Sequence, residues 1–155
     1  FFTVYGPWGR PDMAYYIFTK KIIEGKPIQV FGNGKMLRDF TYIDDIVDGI
    51  ISLISYYDQI NPMILSDCNL NEVPSNIFNI GNNKPIELSY FIKIIENYIG
   101  KKAIKEFVDI QPGDVYGTAA DIQKLKKITN FSPSTNIENG IKKFIDWYHY
   151  FYKCS

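Results

Sequence analysis

The stretch Gly25–Asp45, GKPIQVFGNGKMLRDFTYIDD, joins a short apolar run (Ile28, Val30, Phe31), the glycine-bearing turn Gly32-Asn33-Gly34, and an arginine–aspartate pair (Arg38, Asp39). An apolar helix start follows at Ile43. Asn-Gly between two extended runs is a strong hairpin cue, because both turn positions tolerate positive φ. The pattern therefore predicts a β-hairpin of Ile28–Phe31 with Leu37–Thr41. Arg38 then lies just past the turn, on the returning strand. One reading is a β-ribbon that offers backbone groups and a guanidinium to a ligand. The other is an ordinary surface hairpin with an exposed arginine.

Outside this stretch, the chain has only one other arginine. Arg10 and Arg38 stand against 15 lysines, and both sit in loops with glycine or proline: GPWGRPD and GNGKMLRD. Lysine does not replace arginine where a planar, forked donor must grip a carboxylate or phosphate. Two arginines kept in two such loops point to anion recognition.

A chain of 155 residues, 46% hydrophobic and 16% aromatic, can bury a core of its own. Its formal net charge is +0, with no basic stripe and no acidic tail, which argues against nucleic acid or an anionic membrane surface as partner. No apolar run reaches membrane-spanning length, and no secretory signal pattern opens the chain. Cys68 and Cys154 are too few and too unpatterned for a disulfide framework or a zinc site, and no metal site is expected. A reducing, cytoplasmic setting fits this usage. His149, the single histidine, lies in an aromatic cluster and reads as a packed surface residue. The opening Phe1-Phe2-Thr3-Val4-Tyr5-Gly6 reads as a strand already under way, so we expect a preceding N-terminal portion.

Read in order, residues 1–5 form a strand and Gly6–Asp12 a loop. Met13–Glu24 is a helix ended by Gly25. Ile43–Tyr57 is an amphipathic helix with Asp44 and Asp45 in its first turn, where negative charge suits the helix dipole. Asp58–Ser75 shows no period and reads as a loop. Ile77–Ile80 is a strand, Ser89–Ile99 a helix stopped by Gly100, and Ala103–Val108 a strand. Gln111-Pro112-Gly113-Asp114 is a turn. Asp121–Ile128 is a short helix capped by Asp121, and Ile137–Phe151 is the terminal helix. The class is mixed α/β, read as one region over 1–155.

The residues alone supply binding loops but no catalytic set. Gly32-Asn33-Gly34 lacks the third glycine of a dinucleotide fingerprint and opens no helix. Y-x-x-x-K occurs at Tyr16–Lys20 and Tyr98–Lys102, but with 12 tyrosines and 15 lysines about one such pair arises by chance. No Ser/His/Asp set or carboxylate pair can be placed.

FFTVYGPWGRPDMA, then GKPIQVFGNGKMLRDFTYIDDIVDGI, FNIGN and QPGDVYGTAAD, closely resemble the C-terminal half of NAD-dependent nucleotide-sugar epimerases. These are Rossmann-type extended short-chain dehydrogenases, and the match looks closest to UDP-glucuronate 4-epimerases. The resemblance implies a small mixed α/β substrate-binding lobe for a UDP-sugar. It places Phe2 near the nicotinamide of NAD and Thr3 against the sugar and its carboxylate. Arg10 would engage substrate from a covering loop. Gln29, Val30 and Phe31 would line the uracil, largely through backbone groups and the Phe31 ring, Arg38 would pair with the diphosphate, and Asp114 would accept from the ribose hydroxyls. It also implies family members that are often homodimers, and a reaction in which C4 of the sugar is oxidised, the keto intermediate rotates, and hydride returns to the other face. The G-x-x-G-x-x-G loop and the catalytic Tyr/Lys pair of that chemistry belong to the other half of the family's chain, and neither stands in this sequence. By itself the chain is expected to bind NAD poorly and not to turn over. UDP-glucose 4-epimerase and UDP-glucuronate decarboxylase use similar loops. A short product that binds nucleotide sugar without catalysis is the reading from another class.

Overall fold

A computed structural model of the chain describes residues 1–64 and 76–154. Six short strands, β1 (Thr3–Tyr5), β2 (Ile28–Phe31), β3 (Leu37–Arg38), β4 (Phe40–Tyr42), β5 (Ile86–Glu87) and β6 (Lys105–Val108), are set among five helices. The helices are α1 (Ala14–Ile23), α2 (Ile43–Ile64), α3 (Leu88–Ile99), α4 (Gln123–Thr129) and α5 (Ile137–Tyr152). The mixed α/β class is as expected. The strands pair two by two: β1 parallel to β4, β2 parallel to β6, and β3 antiparallel to β5.

The expected hairpin does not form, since β2 and β3 each pair with a different distant strand. Gly32, Asn33 and Gly34 all have positive φ (56°, 53° and 76°) and wind into a single 3-10 turn, closed by the Lys35 N–H to the Gly32 carbonyl at 3.0 Å. That turn redirects the chain without folding it back on itself. β2 then runs along β6 in the register Val30↔Phe107, and β3 meets β5 at Arg38↔Ile86. Parallel pairing needs the long crossovers that the intervening helices provide.

α1 ends as its sequence predicts. The Gly25 N–H reaches the Ile22 carbonyl (3.2 Å) and the Lys26 N–H reaches Lys21 (2.8 Å), the paired bonds of a Schellman cap. A side chain at Gly25 would meet nothing, so its φ of +67° is what requires glycine there. α2 runs on to Ile64, beyond the expected end at Tyr57. The first part of the expected Asp58–Ser75 loop is thus helix, and 65–75 lie outside the described residues. Ile77–Ile80 forms no named strand, although the Phe2 N–H donates to the Ile80 carbonyl (3.2 Å) and Ile80 is buried. α4 begins at Gln123, and Asp121 serves it by accepting that residue's N–H (3.0 Å). Tyr16 is buried and its hydroxyl meets that of Tyr152, so this Y-x-x-x-K pair belongs to a structural helix.

The main core gathers α1, α3 and α5 around β1, β2 and β4. Phe40 stacks on Phe91 with ring centroids 4.2 Å apart, and Ile92, Ile95, Ile141 and Phe144 are fully buried. Gly140 lets α5 close onto the Tyr5 phenol, a position where a Cβ would collide. A smaller cluster of Ile46, Ile80 and Leu125 joins α2 to α4.

Buried carboxylates tie these layers together. Asp45, expected only to face a helix dipole, accepts the N–H groups of Ser134 and Thr135 (both 3.1 Å), while Asp44 stays exposed. Glu96 on α3 is 4% exposed, accepts the Ala103 N–H (2.9 Å) and pairs with Lys105 (2.9 Å) and Lys102 (3.4 Å). Burial pushes its carboxyl up, but Lys105, the Ala103 amide and Lys102 together outweigh burial and hold it below the usual glutamate range. A depressed native pKa stabilises the fold above the unfolded-state value and loses that stabilisation as pH falls through the native one. Glu96→Gln is therefore expected to lower unfolding free energy by about 2 kcal/mol at pH 7. In urea titrations the gap to the parent chain should close under acid conditions.

Candidate functional site

Two neighbouring cavities open on the side where the Gly6–Asp12 loop meets β3. The larger, about 530 Å3, is walled by Phe1 to Arg10 with Met13, Tyr15 and Ile43. The second, about 440 Å3, runs along α1. Thr3 and Met13 line both, so they mark the junction.

The second cleft brings together five of the residues expected at a site. Thr3, Gln29, Phe31, Arg38 and Asp114 all line it. Arg38 donates through Nη2 to the Asp114 carboxylate at 3.0 Å, and through Nη1 to the carbonyls of Leu37 (2.8 Å) and Tyr116 (3.3 Å). Three acceptors thus fix the position of its fork, and the residue lines the cleft. Asp114 sits at the end of the expected turn, where Gly113 takes φ +86° and the Asp114 N–H bonds the Gln111 carbonyl (3.0 Å).

Val30, Phe2 and Arg10 are not among the residues lining this cleft. The Val30 side chain is in the core, 1% exposed, whereas its expected part in a site was through backbone groups. β2 alternates, so Gln29 and Phe31 face the cleft while Val30 faces inward. Phe2 and Arg10 line the larger cavity. Arg10 is bound by Asp12 through Nε (3.1 Å) and Nη2, which holds the Asp12 carboxylate below its usual range. Trp8, in the same loop, has φ +62° and is 74% exposed, leaning on Trp147 and Phe151.

Sequence reasoning missed Lys21, Met36 and Leu88, which also line the cleft. Lys21 had a signal: it lies four residues past Ile17 and three past Phe18, on one α1 face.

The carboxylates among the residues lining the cleft, Asp12 and Asp114, are each bonded to an arginine. Burial pushes the phenols of Tyr5 and Tyr15, which line the larger cavity, upward. His149 accepts or donates only locally, with Nδ1 against the Cys154 carbonyl (2.6 Å). No group of three metal-ligating side chains occurs among the described residues. The larger cavity is walled in part by Phe1, Phe2, Tyr5, Trp8 and Tyr15. The sequence has no glycine-rich strand-to-helix turn to cradle a pyrophosphate. These residues by themselves do not fit a whole dinucleotide.

Residues 1–81 match the model of the NAD dependent epimerase/dehydratase family. The chain belongs to that family. It is 46% identical over 156 residues to Protein CapI of Staphylococcus aureus, a match spanning 99% of this chain and 47% of that protein. It is 43% identical over 148 residues to a UDP-glucuronate 4-epimerase of Thermodesulfobacterium geofontis, covering 95% of this chain and 41% of the relative. The fold superposes on the crystal structure of UDP-glucuronic acid 4-epimerase from Bacillus cereus, in complex with UDP-glucuronic acid and NAD, with a TM-score of 0.80. Identity there is 32%, over 97% of this chain and 44% of that one. The chain thus spans about half the length of the curated epimerase relatives it matches. No described helix is long and apolar enough to cross a membrane.

The geometry of this family member's cleft depends on Asp39, between β3 and β4. It is fully buried, and its Oδ2 accepts the N–H groups of Asn83 (2.9 Å) and Ala120 (2.8 Å). Asp39→Ala leaves both amides without a partner and should cost about 3 kcal/mol of unfolding free energy in urea titrations. Asp39→Asn keeps an acceptor oxygen and should recover a large part of it.

Proposed function

We propose that this chain holds the nucleotide diphosphate of a UDP-sugar for an NAD-dependent UDP-glucuronate 4-epimerase. The observation that carries the reading is Arg38 reaching Asp114 at 3.0 Å across one cleft with Gln29 and Phe31. A forked, charge-assisted donor suits a diphosphate, and a carboxylate beside it suits ribose hydroxyls. Phe31 offers an apolar face to the base and Thr3 a hydroxyl to the sugar. The larger cavity, with Phe2 and Arg10, is where the reading puts the nicotinamide and the sugar carboxylate.

Support comes from relatives of that activity at 41% to 43% identity and from the Bacillus cereus complex. In the whole protein NAD would supply the oxidation and re-reduction at C4. This chain's residues bind and orient; no step of hydride transfer is assigned to them. A formal net charge of +0 keeps nucleic acid out of the reading, and the free thiol of Cys154 suits a reducing, cytoplasmic setting. The resemblance extends it to a homodimer.

Calorimetric titration with UDP tests the assignment. We expect weak binding by the parent chain. Arg38→Ala should weaken it by more than about tenfold, and Arg38→Lys by less, because lysine keeps the charge and loses the fork. Equal affinity in Arg38→Ala would remove that residue from the site.

A further inference from the structure

We infer that Lys21 is the residue that selects the nucleobase, by donating to a carbonyl oxygen on the base edge. The inference rests on the UDP-sugar reading above. It starts from the direction of the cleft. Met13, the residue before α1, and Ile17 and Lys21 on successive turns of α1 line it, so it follows the helix axis for about 12 Å from Met13 to Lys21. Thr3 and Met13 open into the larger cavity, and Lys21 does not. A ligand whose sugar lies at the Thr3 junction and whose diphosphate meets Arg38 therefore brings its base toward the Lys21 end.

The charges in the cleft favour the same assignment. Of its two carboxylates, Asp114 is bonded to Arg38 and Asp12 to Arg10. Lys21 has no ion pair and no side-chain hydrogen bond among the described residues, yet it is only half-exposed. An ammonium has donors only, so it accepts a carbonyl and rejects an amino group at the same place. Gln29, facing the cleft from β2, carries an amide that serves either partner by turning over. Of these two residues, only Lys21 can separate uracil, with a carbonyl at C4, from cytosine, with an amino group there. A site that hydrogen-bonds one and leaves its own donor unpaired against the other discriminates strongly.

The test is the ratio of UDP to CDP affinity, measured by calorimetry on the parent chain, Lys21→Met and Lys20→Met. Lys20 is exposed and outside the cleft, so its variant controls for loss of one surface charge. The parent and Lys20→Met should favour UDP, and Lys21→Met should lose about tenfold of that preference. An unchanged ratio in Lys21→Met overturns the inference and leaves the UDP-sugar reading standing. An equal loss of both nucleotides places Lys21 on the diphosphate and also overturns it. No binding of UDP by the parent chain overturns the UDP-sugar reading itself, and this inference with it.

Discussion

One buried carboxylate oxygen sets the geometry on which the cleft depends. Asp39 Oδ2 takes two backbone N–H groups from segments far apart in the chain, Asn83 and Ala120. A buried polar oxygen is tolerated when hydrogen bonds replace the water it lost; two amides do so for Oδ2, while Oδ1 is buried without a hydrogen-bond partner among the described residues. The bond to Ala120 brings 117–120 against β3. There the Leu37 N–H bonds the Tyr116 carbonyl (2.9 Å) and the Thr118 N–H bonds the Leu37 carbonyl (3.2 Å). With Tyr116 fixed, Asp114 two residues earlier faces Arg38. Close packing holds the same junction: a Cβ on Gly81 would collide with Ala120.

Two adjoining cavities differ in the chemistry they present. The cleft presents a forked cation, a carboxylate, an aromatic face and a hydroxyl. The neighbouring cavity presents aromatic walls and phenols kept neutral by burial. The relatives are about twice as long as this chain. Before any ligand arrives, Arg38 is satisfied by Asp114 and two carbonyls. On the proposed reading a diphosphate meets a guanidinium that is already aimed, which lowers the ordering cost of binding.

Much of the architecture was legible residue by residue. Apolar spacing gave α1, α3 and α5, because helix faces repeat locally and caps such as Gly25 and Gly100 act within one turn. The two-arginine argument pointed to Arg38 and the family resemblance to Asp114, Gln29, Phe31 and Thr3, and these five line one cleft. The hairpin was misread because Gly32-Asn33-Gly34 states only that the backbone takes positive φ. Whether the chain reverses there depends on what else is available to pair with each strand.

The amino-acid order by itself determined where helices start and stop, which loops hold the rare arginines, and that strands are short. Those are local matters of torsion, propensity and side-chain chemistry. Tertiary structure alone decided the partners. β2 chose β6, Val30 turned inward, Asp114 came to face Arg38, and Lys21 came to line the same cleft as Gln29 and Phe31 of β2. Each of those outcomes is a competition between groups distant in sequence for one acceptor, one ladder edge or one place in the core, and only the folded chain brings the competitors within reach.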